Sequence, residues 1–197
     1  MRLALLQRLL LLGPALFAPG TASPESPGPM PSPPSSVRAP AGSARDFDFF
    51  LGNWKVRNRR LKQRLAGSRE WEEFEATSNC ASLLDGLGNQ DEYRTPARPG
   101  FVGMSLRFFD PASGKWSIYW IDNRSGQLQP PVVGGFSGET GVFEGKDALE
   151  GRPIRVRCLW SRVHSGRPRW EQAFSSDGGK SWETNWGMDF TRVGEGW

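Results

Sequence analysis

From residue 45 onward, apolar and polar side chains alternate with a period of two. Trp54 and Val56, for example, alternate with Lys55 and Arg57. The same alternation recurs over residues 73–80, 104–108, 154–160 and 182–190. One apolar face and one polar face along an extended segment are typical of antiparallel strands that cover a core on one side. The pattern therefore predicts an all-β domain.

Short turn-forming segments separate the alternating runs. Residues 110–114 (Asp-Pro-Ala-Ser-Gly) and residues 164–168 (His-Ser-Gly-Arg-Pro) have the composition of hairpin turns. Between such turns there is room for about ten strands, and no run of helical length lies between them. Many short strands at regular spacing favour a β-sandwich or an antiparallel barrel.

The two ends of the domain favour the barrel. Gly52 and Trp54 open the first predicted strand, and Arg192 ends the last one, in phase with Trp182 and Trp186 on the apolar face. An arginine on an apolar face needs a partner, and an indole ring can stack on a guanidinium group. Closing the sheet places the first and last strands side by side, so we expect Arg192 to lie on Trp54.

These terminal residues resemble a signature of the calycins, the superfamily of lipocalins and fatty-acid-binding proteins. That signature is Gly-x-Trp on the first strand and an arginine on the last, as at Gly52, Trp54 and Arg192. Residues 46–56 and 177–192 resemble more closely a bacterial group of lipocalin-like domains with no assigned function. The resemblance spans most of the domain and implies an up-and-down antiparallel barrel with a closed floor, an open mouth and small apolar ligands. It also implies that Gly52, Trp54 and Arg192 form the floor, a structural role.

The first 44 residues differ in composition from the rest. Residues 1–22 have a positively charged start, an apolar run of about ten residues and small residues before Ser23, which is typical of a secretory signal peptide. The apolar run is shorter than the roughly 20 residues of a transmembrane helix. Residues 23–44 are rich in proline and serine and predict a disordered leader. We therefore expect a barrel domain at 45–197 in an exported protein, periplasmic or secreted, without a transmembrane segment.

Composition and charge narrow the classes of partner. The 197 residues include nine tryptophans and twelve phenylalanines, which are enough large rings for a packed core. The net charge is +4 at pH 7, and it falls to +2 without residues 1–44. A nearly neutral exported domain argues against nucleic acid as a partner. Lys55, Arg57 and Arg59 form a basic strand, which we interpret as a solvated face; contact with anionic groups of the cell envelope is the alternative.

The inward positions of the middle strands are the predicted lining of a pocket. They are mostly aromatic, with Gln172 as a polar group, as in many small-molecule sites. The predicted ligand-binding residues are Met104, Phe108, Trp120, Trp160, Trp170, Gln172, Phe174 and Trp186. In a narrow barrel the same rings would simply fill the interior, so the sequence leaves open whether the barrel is hollow or filled.

Residues suited to a chemical step are scarce. His164 is the only histidine and lies in a predicted hairpin loop. This argues against a metal site built from several histidines and against a Ser-His-Asp triad. We predict no catalytic residue, no metal site and no cofactor; haem bound through His164 is the weaker alternative.

Two further features are interpreted as structural. Cys80 and Cys158 lie on predicted inward faces. A disulfide between them is one possibility in an exported domain, but we favour two buried free thiols because the two strands need not be neighbours. Residues 175–182 fit the Asp-box turn of sialidase-type propellers. Because the chain carries only one full copy of this motif, we interpret it as a turn device and not as a carbohydrate site.

The sequence therefore predicts an exported barrel that binds one small hydrophobic or amphipathic molecule. Two alternatives stay open: an enzyme on the same barrel that positions an aromatic or lipid-like compound, and an envelope interaction protein with a filled barrel. A polar pair deep in a roomy cavity, such as Glu144 or Gln172 beside a tyrosine, would favour the enzyme. A solid interior would favour the interaction protein.

Overall fold

The computed structural model describes residues 42–194. The predicted signal peptide and nearly all of the predicted leader lie outside these residues. Within them the chain forms ten strands and two short 3₁₀ turns, Asp48–Phe50 and Leu84–Gly86. The strands are β1 (Gly52–Leu61), β2 (Trp71–Leu83), β3 (Gly88–Arg94), β4 (Val102–Asp110), β5 (Lys115–Asp122), β6 (Val132–Ser137), β7 (Thr140–Leu149), β8 (Arg152–Ser161), β9 (Arg169–Ser175) and β10 (Glu183–Arg192).

Each strand pairs antiparallel with its neighbours in the chain, and β1 pairs with β10. The sheet is thereby closed into an up-and-down antiparallel barrel, which confirms the predicted fold class. Closure gives every strand two neighbours and removes the two free edge strands of an open sheet, which are the usual site of edge-to-edge association. Among residues 42–194, the structure contains no helix with the length and hydropathy needed to cross a membrane.

Alternation along β1 shows how the sequence sets the two faces of the sheet. Trp54 and Val56 are buried, whereas Arg57 is exposed and pairs with Glu73 of β2 at 2.9 Å. Arg59 lies over the ring of Trp71, 4.5 Å from its centre. Two of the three cations of this basic strand, Arg57 and Arg59, therefore have partners on the outer face, and exposed pairs of this kind add at most about 1 kcal/mol to stability.

One end of the barrel is closed by contacts between the first and last strands. The Cζ atom of Arg192 lies 4.2 Å from the ring centre of Trp54. The Nη1 and Nη2 atoms of Arg192 donate to the carbonyl oxygens of Leu51 (2.6 Å) and Phe49 (2.7 Å). Gly52 has a φ of +109°, and a Cβ there would lie 2.7 Å from Nη1 of Arg192. A residue other than glycine would therefore strain the backbone and displace the guanidinium group.

The half of the barrel above this floor is filled by aromatic rings. Phe47 and Phe50 enter it from the segment before β1, and both are only 1% exposed. Phe50 lies 4.9 Å from Trp160 and 5.1 Å from Phe190, in edge-to-face contacts. The rings packed around the two phenylalanines are Phe49, Trp54, Trp116, Phe136, Phe143, Trp160 and Phe190. Such pairs contribute about 0.5–1.5 kcal/mol each beyond their burial, so this cluster is the core of the fold.

Candidate functional site

The other half of the barrel is hollow. A cavity of about 310 Å³ begins at Phe50 and extends toward the loops at the opposite end, a volume at the lower end of the range for ligand pockets. Six of the predicted ligand-binding residues line it, namely Trp120, Trp160, Trp170, Gln172, Phe174 and Trp186. The barrel is thus filled at the floor and hollow toward the mouth.

Met104 and Phe108 do not line the cavity, so the inward face predicted for β4 is wrong. The residues of β4 that line it are Ser105 and Arg107, which alternate with them. Met104 and Phe108 lie on the outer face, where the ring of Phe108 is 6.4 Å from that of Tyr119. The usual arrangement of polar and apolar faces is reversed here because Arg107 finds polar partners inside the barrel, while the outer apolar side chains cover one another.

The prediction that Trp182 shares the inward face of β10 is also wrong. A β-bulge between Thr184 and Trp186 shifts the register with β9 and changes which face the side chains occupy. Trp186 lines the cavity, whereas Trp182 lies on the outer surface, with the Cζ atom of Arg157 3.9 Å from its ring centre. A bulge adds one residue to a strand, and no sequence pattern marks its position. The alternation of polar and apolar residues therefore does not reveal the bulge.

A buried ion pair forms part of the cavity wall. Nη2 of Arg107 lies 2.6 Å from Oδ1 of Asp91, and the side chains are 5% and 7% exposed. Nη1 of Arg107 donates to Oδ1 of Asn89 (2.9 Å), and the hydroxyl of Ser78 donates to Oδ2 of Asp91 (3.0 Å). These hydrogen bonds offset part of the cost of removing both charges from water. Because the two charges neutralise each other, the pair offers hydrogen bonds to a ligand but little net charge.

Asp91, Tyr93 and Arg107 line the cavity as well, although they are not among the predicted ligand-binding residues. Most side chains of β3 are polar on both faces of the strand, so no alternation of polar and apolar residues indicates which face points inward. Arg107 stands between Leu106 and Phe108 and therefore looks like an outward residue. The signal that could have found the pair is the presence of opposite charges on consecutive strands, within reach of each other across the hairpin.

A second polar cluster holds two cavity residues in place. Asn58 is fully buried, and its Oδ1 accepts hydrogen bonds from the hydroxyl of Tyr93 (2.9 Å) and from Nε1 of Trp186 (3.0 Å). Burial raises the pKa of the Tyr93 hydroxyl, so this group remains a protonated donor. Asn58 thereby links β1, β3 and β10 and orients Tyr93 and Trp186 in the wall.

Apart from Oδ1 of Asp91, whose partner is Arg107 in the ion pair, three buried polar atoms of the cavity-lining residues have no hydrogen-bond partner within residues 42–194. They are Nε of Arg107, Nε1 of Trp160 and Oε1 of Gln172, two donors and one acceptor. Leaving such a group unpaired costs about 1–3 kcal/mol, and few such groups occur in a native protein. A ligand with a polar group at this depth would satisfy them.

Exposed residues mark the mouth of the cavity. Gln129 and Pro130, from the loop between β5 and β6, and residues 146–148 of β7 are exposed and line it. In the described chain, β5 and β6 pair through three residues each, so the sheet between them is short. Beyond this pairing, the amide of Gln129 donates to the carbonyl oxygen of Trp120 (2.8 Å). The loop between β5 and β6 therefore borders the mouth of the cavity.

The remaining candidate residues lie away from the cavity. His164 is exposed in the loop after β8 and does not line the cavity. Glu144 is on the outer face, where it pairs with Arg155 (2.8 Å) and Arg157 (2.7 Å). Hydrogen bonds from Ser181 lower the pKa of the Asp177 carboxyl and fix the turn between β9 and β10. No three potential metal-ligating side chains cluster in residues 42–194.

Cys80 and Cys158 are both buried as free thiols, and Cys158 lines the cavity. Burial raises the pKa of each thiol to about 12. The thiolate is the reactive form, so neither side chain has the character of a nucleophile at neutral pH.

We expect iodoacetamide at pH 8 to leave both cysteines of the native protein unmodified and to label both in urea, as read by mass spectrometry. In the unfolded chain the thiol pKa is about 8.5, below its value of about 12 in the fold. Deprotonation therefore favours the unfolded chain, and stability falls as pH rises between these two values. Rapid labelling of Cys158 in the native protein would contradict its burial.

A comparison of the chain with protein-family models and with curated proteins finds no match. The cavity and its lining are therefore the features of the protein that indicate a function.

Proposed function

We propose that the protein is an exported, lipocalin-like carrier that binds one small amphipathic molecule inside the barrel. The observation that carries this proposal is a cavity of about 310 Å³ whose mostly apolar wall also contains unpartnered polar atoms. A barrel built only for stability would gain by filling this space, since interiors are normally close-packed. The terminal Gly-x-Trp and arginine, and the signal-like residues 1–22, support the lipocalin-like and exported parts of the proposal.

The two sides of the cavity suggest how the ligand lies. Val156, Phe174 and Met188, on β8, β9 and β10, provide an apolar wall for the body of the molecule. The polar atoms of Arg107 and Gln172 provide a donor and an acceptor for a polar group at its inner end. In pockets of this kind, the apolar lining provides most of the affinity, and the few fixed polar groups determine the orientation of the ligand.

The enzyme alternative has less support from the same residues. The carboxylate of Asp91 is held by Arg107 and Ser78, so both of its oxygens have partners. Glu144 lies on the outer face and His164 lies in an exposed loop, away from any bound molecule. Gln172 and Tyr93 line the cavity, but neither is a base at neutral pH. The interaction-protein alternative assumed a solid interior, and half of this interior is hollow.

Filling the cavity tests the proposal. Ser105 of β4 lines the cavity, whereas the next residue of the strand, Leu106, does not. We expect Ser105→Phe to weaken binding of decanoate and decan-1-ol by about tenfold or more, since the ring occupies the space of the ligand. The matched control Leu106→Phe adds a ring outside and should bind as the wild type does. Binding is read from the fluorescence of the four cavity tryptophans.

Two results would contradict the proposal. One is that the wild type binds neither compound. The other is that Ser105→Phe and Leu106→Phe, both folded by circular dichroism, bind with the same affinity as the wild type.

A further inference from the structure

Arg64 is a cation at the mouth of the cavity. It belongs to the loop between β1 and β2, it is partly buried, and it lines the cavity. Its Cζ atom lies 5.9 Å from the ring centre of Phe174, so the guanidinium group is directed over the apolar wall and not into solvent. Burial, followed by the neighbouring Arg60, lowers the pKa of Arg64, because both disfavour its charged form.

The carboxylates near Arg64 are committed to other groups. Glu72 pairs with Arg60 and lies 3.7 Å from Arg98. Glu183 accepts a hydrogen bond from the amide of Leu65 (2.7 Å). Within the described chain, Arg64 forms no ion pair with a carboxylate, in contrast to Arg60 beside it. A partly buried arginine without an anionic partner is a site for an anion.

The backbone beside Arg64 is fixed in an uncommon conformation. Leu65 has a φ of +56°, a region that residues other than glycine seldom occupy. Its amide is bound to Glu183 and its side chain packs against the core. Such a conformation persists where the surroundings hold it, so the loop presents Arg64 to the mouth in a defined position.

The other polar features of the cavity place an anionic group at the mouth and not at the floor. At the inner end, Arg107 is already neutralised by Asp91. A second anion there would face the carboxylate of Asp91 in a dry environment, where like charges repel strongly. Lys146 also lines the cavity, but it is exposed to water, so solvent screens its charge more than that of a partly buried group. Among the described residues, Arg64 is the partly buried cavity-lining cation that forms no ion pair with a carboxylate, whereas Arg107 pairs with Asp91.

We infer that the ligand is an organic acid whose carboxylate, or an equivalent anionic group, lies at the mouth against Arg64, while its mostly apolar body occupies the cavity and directs an uncharged polar group toward Arg107 and Gln172. This inference rests on the proposed carrier function and adds the chemical class of the ligand. The carboxylate would accept hydrogen bonds from the guanidinium group, and charge-assisted bonds of this kind are stronger than those between neutral groups.

The test compares decanoate with decan-1-ol, which has the same chain length and no charge. Binding to the wild type, to Arg64→Gln and to Arg69→Gln is measured at neutral pH by isothermal titration calorimetry. Arg69 is the matched control, since it is an exposed arginine of the same loop that does not line the cavity. We expect Arg64→Gln to weaken decanoate binding by about 10- to 100-fold and to change decan-1-ol binding by less than about twofold. Arg69→Gln should change neither.

The outcomes separate this inference from the carrier function. If the wild type binds both compounds but Arg64→Gln and Arg69→Gln affect decanoate alike, the role of Arg64 is wrong and the carrier function stands. If Arg64→Gln weakens decanoate and decan-1-ol equally, Arg64 shapes the mouth and does not recognise the charge, which also overturns the inference. If the wild type binds neither compound, the carrier function fails and the inference fails with it.

Discussion

Replacing Arg107 with methionine is expected to destabilise the barrel by about 3–5 kcal/mol. The substitution keeps most of the apolar stem but leaves the carboxylate of Asp91 buried, with the Ser78 hydroxyl as its remaining partner. It also leaves Asn89 without the hydrogen bond that it accepts from Arg107. Urea unfolding followed by circular dichroism measures the loss in the free energy of unfolding.

The double variant Asp91→Leu/Arg107→Met separates the cost of an unpaired charge from the loss of a favourable interaction. Replacing both partners of a buried ion pair by apolar residues often costs little. We expect the double variant to be more stable than Arg107→Met alone, with a remaining loss of about 1–2 kcal/mol from Ser78 and Asn89. A double variant as unstable as the single one would mean that the pair itself, and not the stranded carboxylate, stabilises the barrel.

Replacing Phe50 with alanine is expected to cost about 3–5 kcal/mol in the free energy of unfolding. The ring is 1% exposed, stacks on Trp54 (5.6 Å between ring centres) and forms the boundary between the filled and hollow halves. Its removal takes away these contacts, and the space left behind joins the cavity because the rings around it are held by the closed sheet. Urea unfolding measures the loss.

Phe49 provides the matched control in the same 3₁₀ turn. Its side chain is only partly buried at the edge of the core, so Phe49→Ala removes fewer contacts and we expect a loss of about 1–2 kcal/mol. Equal losses at Phe49 and Phe50 would show that the turn stabilises the barrel through its backbone and not through the ring of Phe50.

The fold could be predicted because its causes are local in the sequence. Strict alternation in β1, such as that of Trp54 and Val56 with Lys55 and Arg57, sets both the strand and its inward face. The end motif added the closure of the sheet, since an arginine on an apolar face needs a partner. Register then follows from which side of each strand must be buried.

The cavity could be predicted only in part, because its causes are contacts between distant residues. Arg107 lies inside because Asp91 of β3 neutralises it, and the pattern of β4 alone indicates the opposite face. Trp182 lies on the outer surface because of a β-bulge, which the alternation of polar and apolar residues does not reveal. Whether the barrel is hollow depends on how far Phe47 and Phe50 reach into it, and these residues precede the first strand.

The most direct test of the proposed carrier function is native mass spectrometry of the protein, purified without denaturation from the cells that produce it. We predict a reproducible non-covalent adduct that denaturing extraction removes, with the mass of a small organic acid, and its absence from Ser105→Phe. No adduct in the wild type, together with tryptophan fluorescence unchanged by decanoate and by decan-1-ol, would contradict the account.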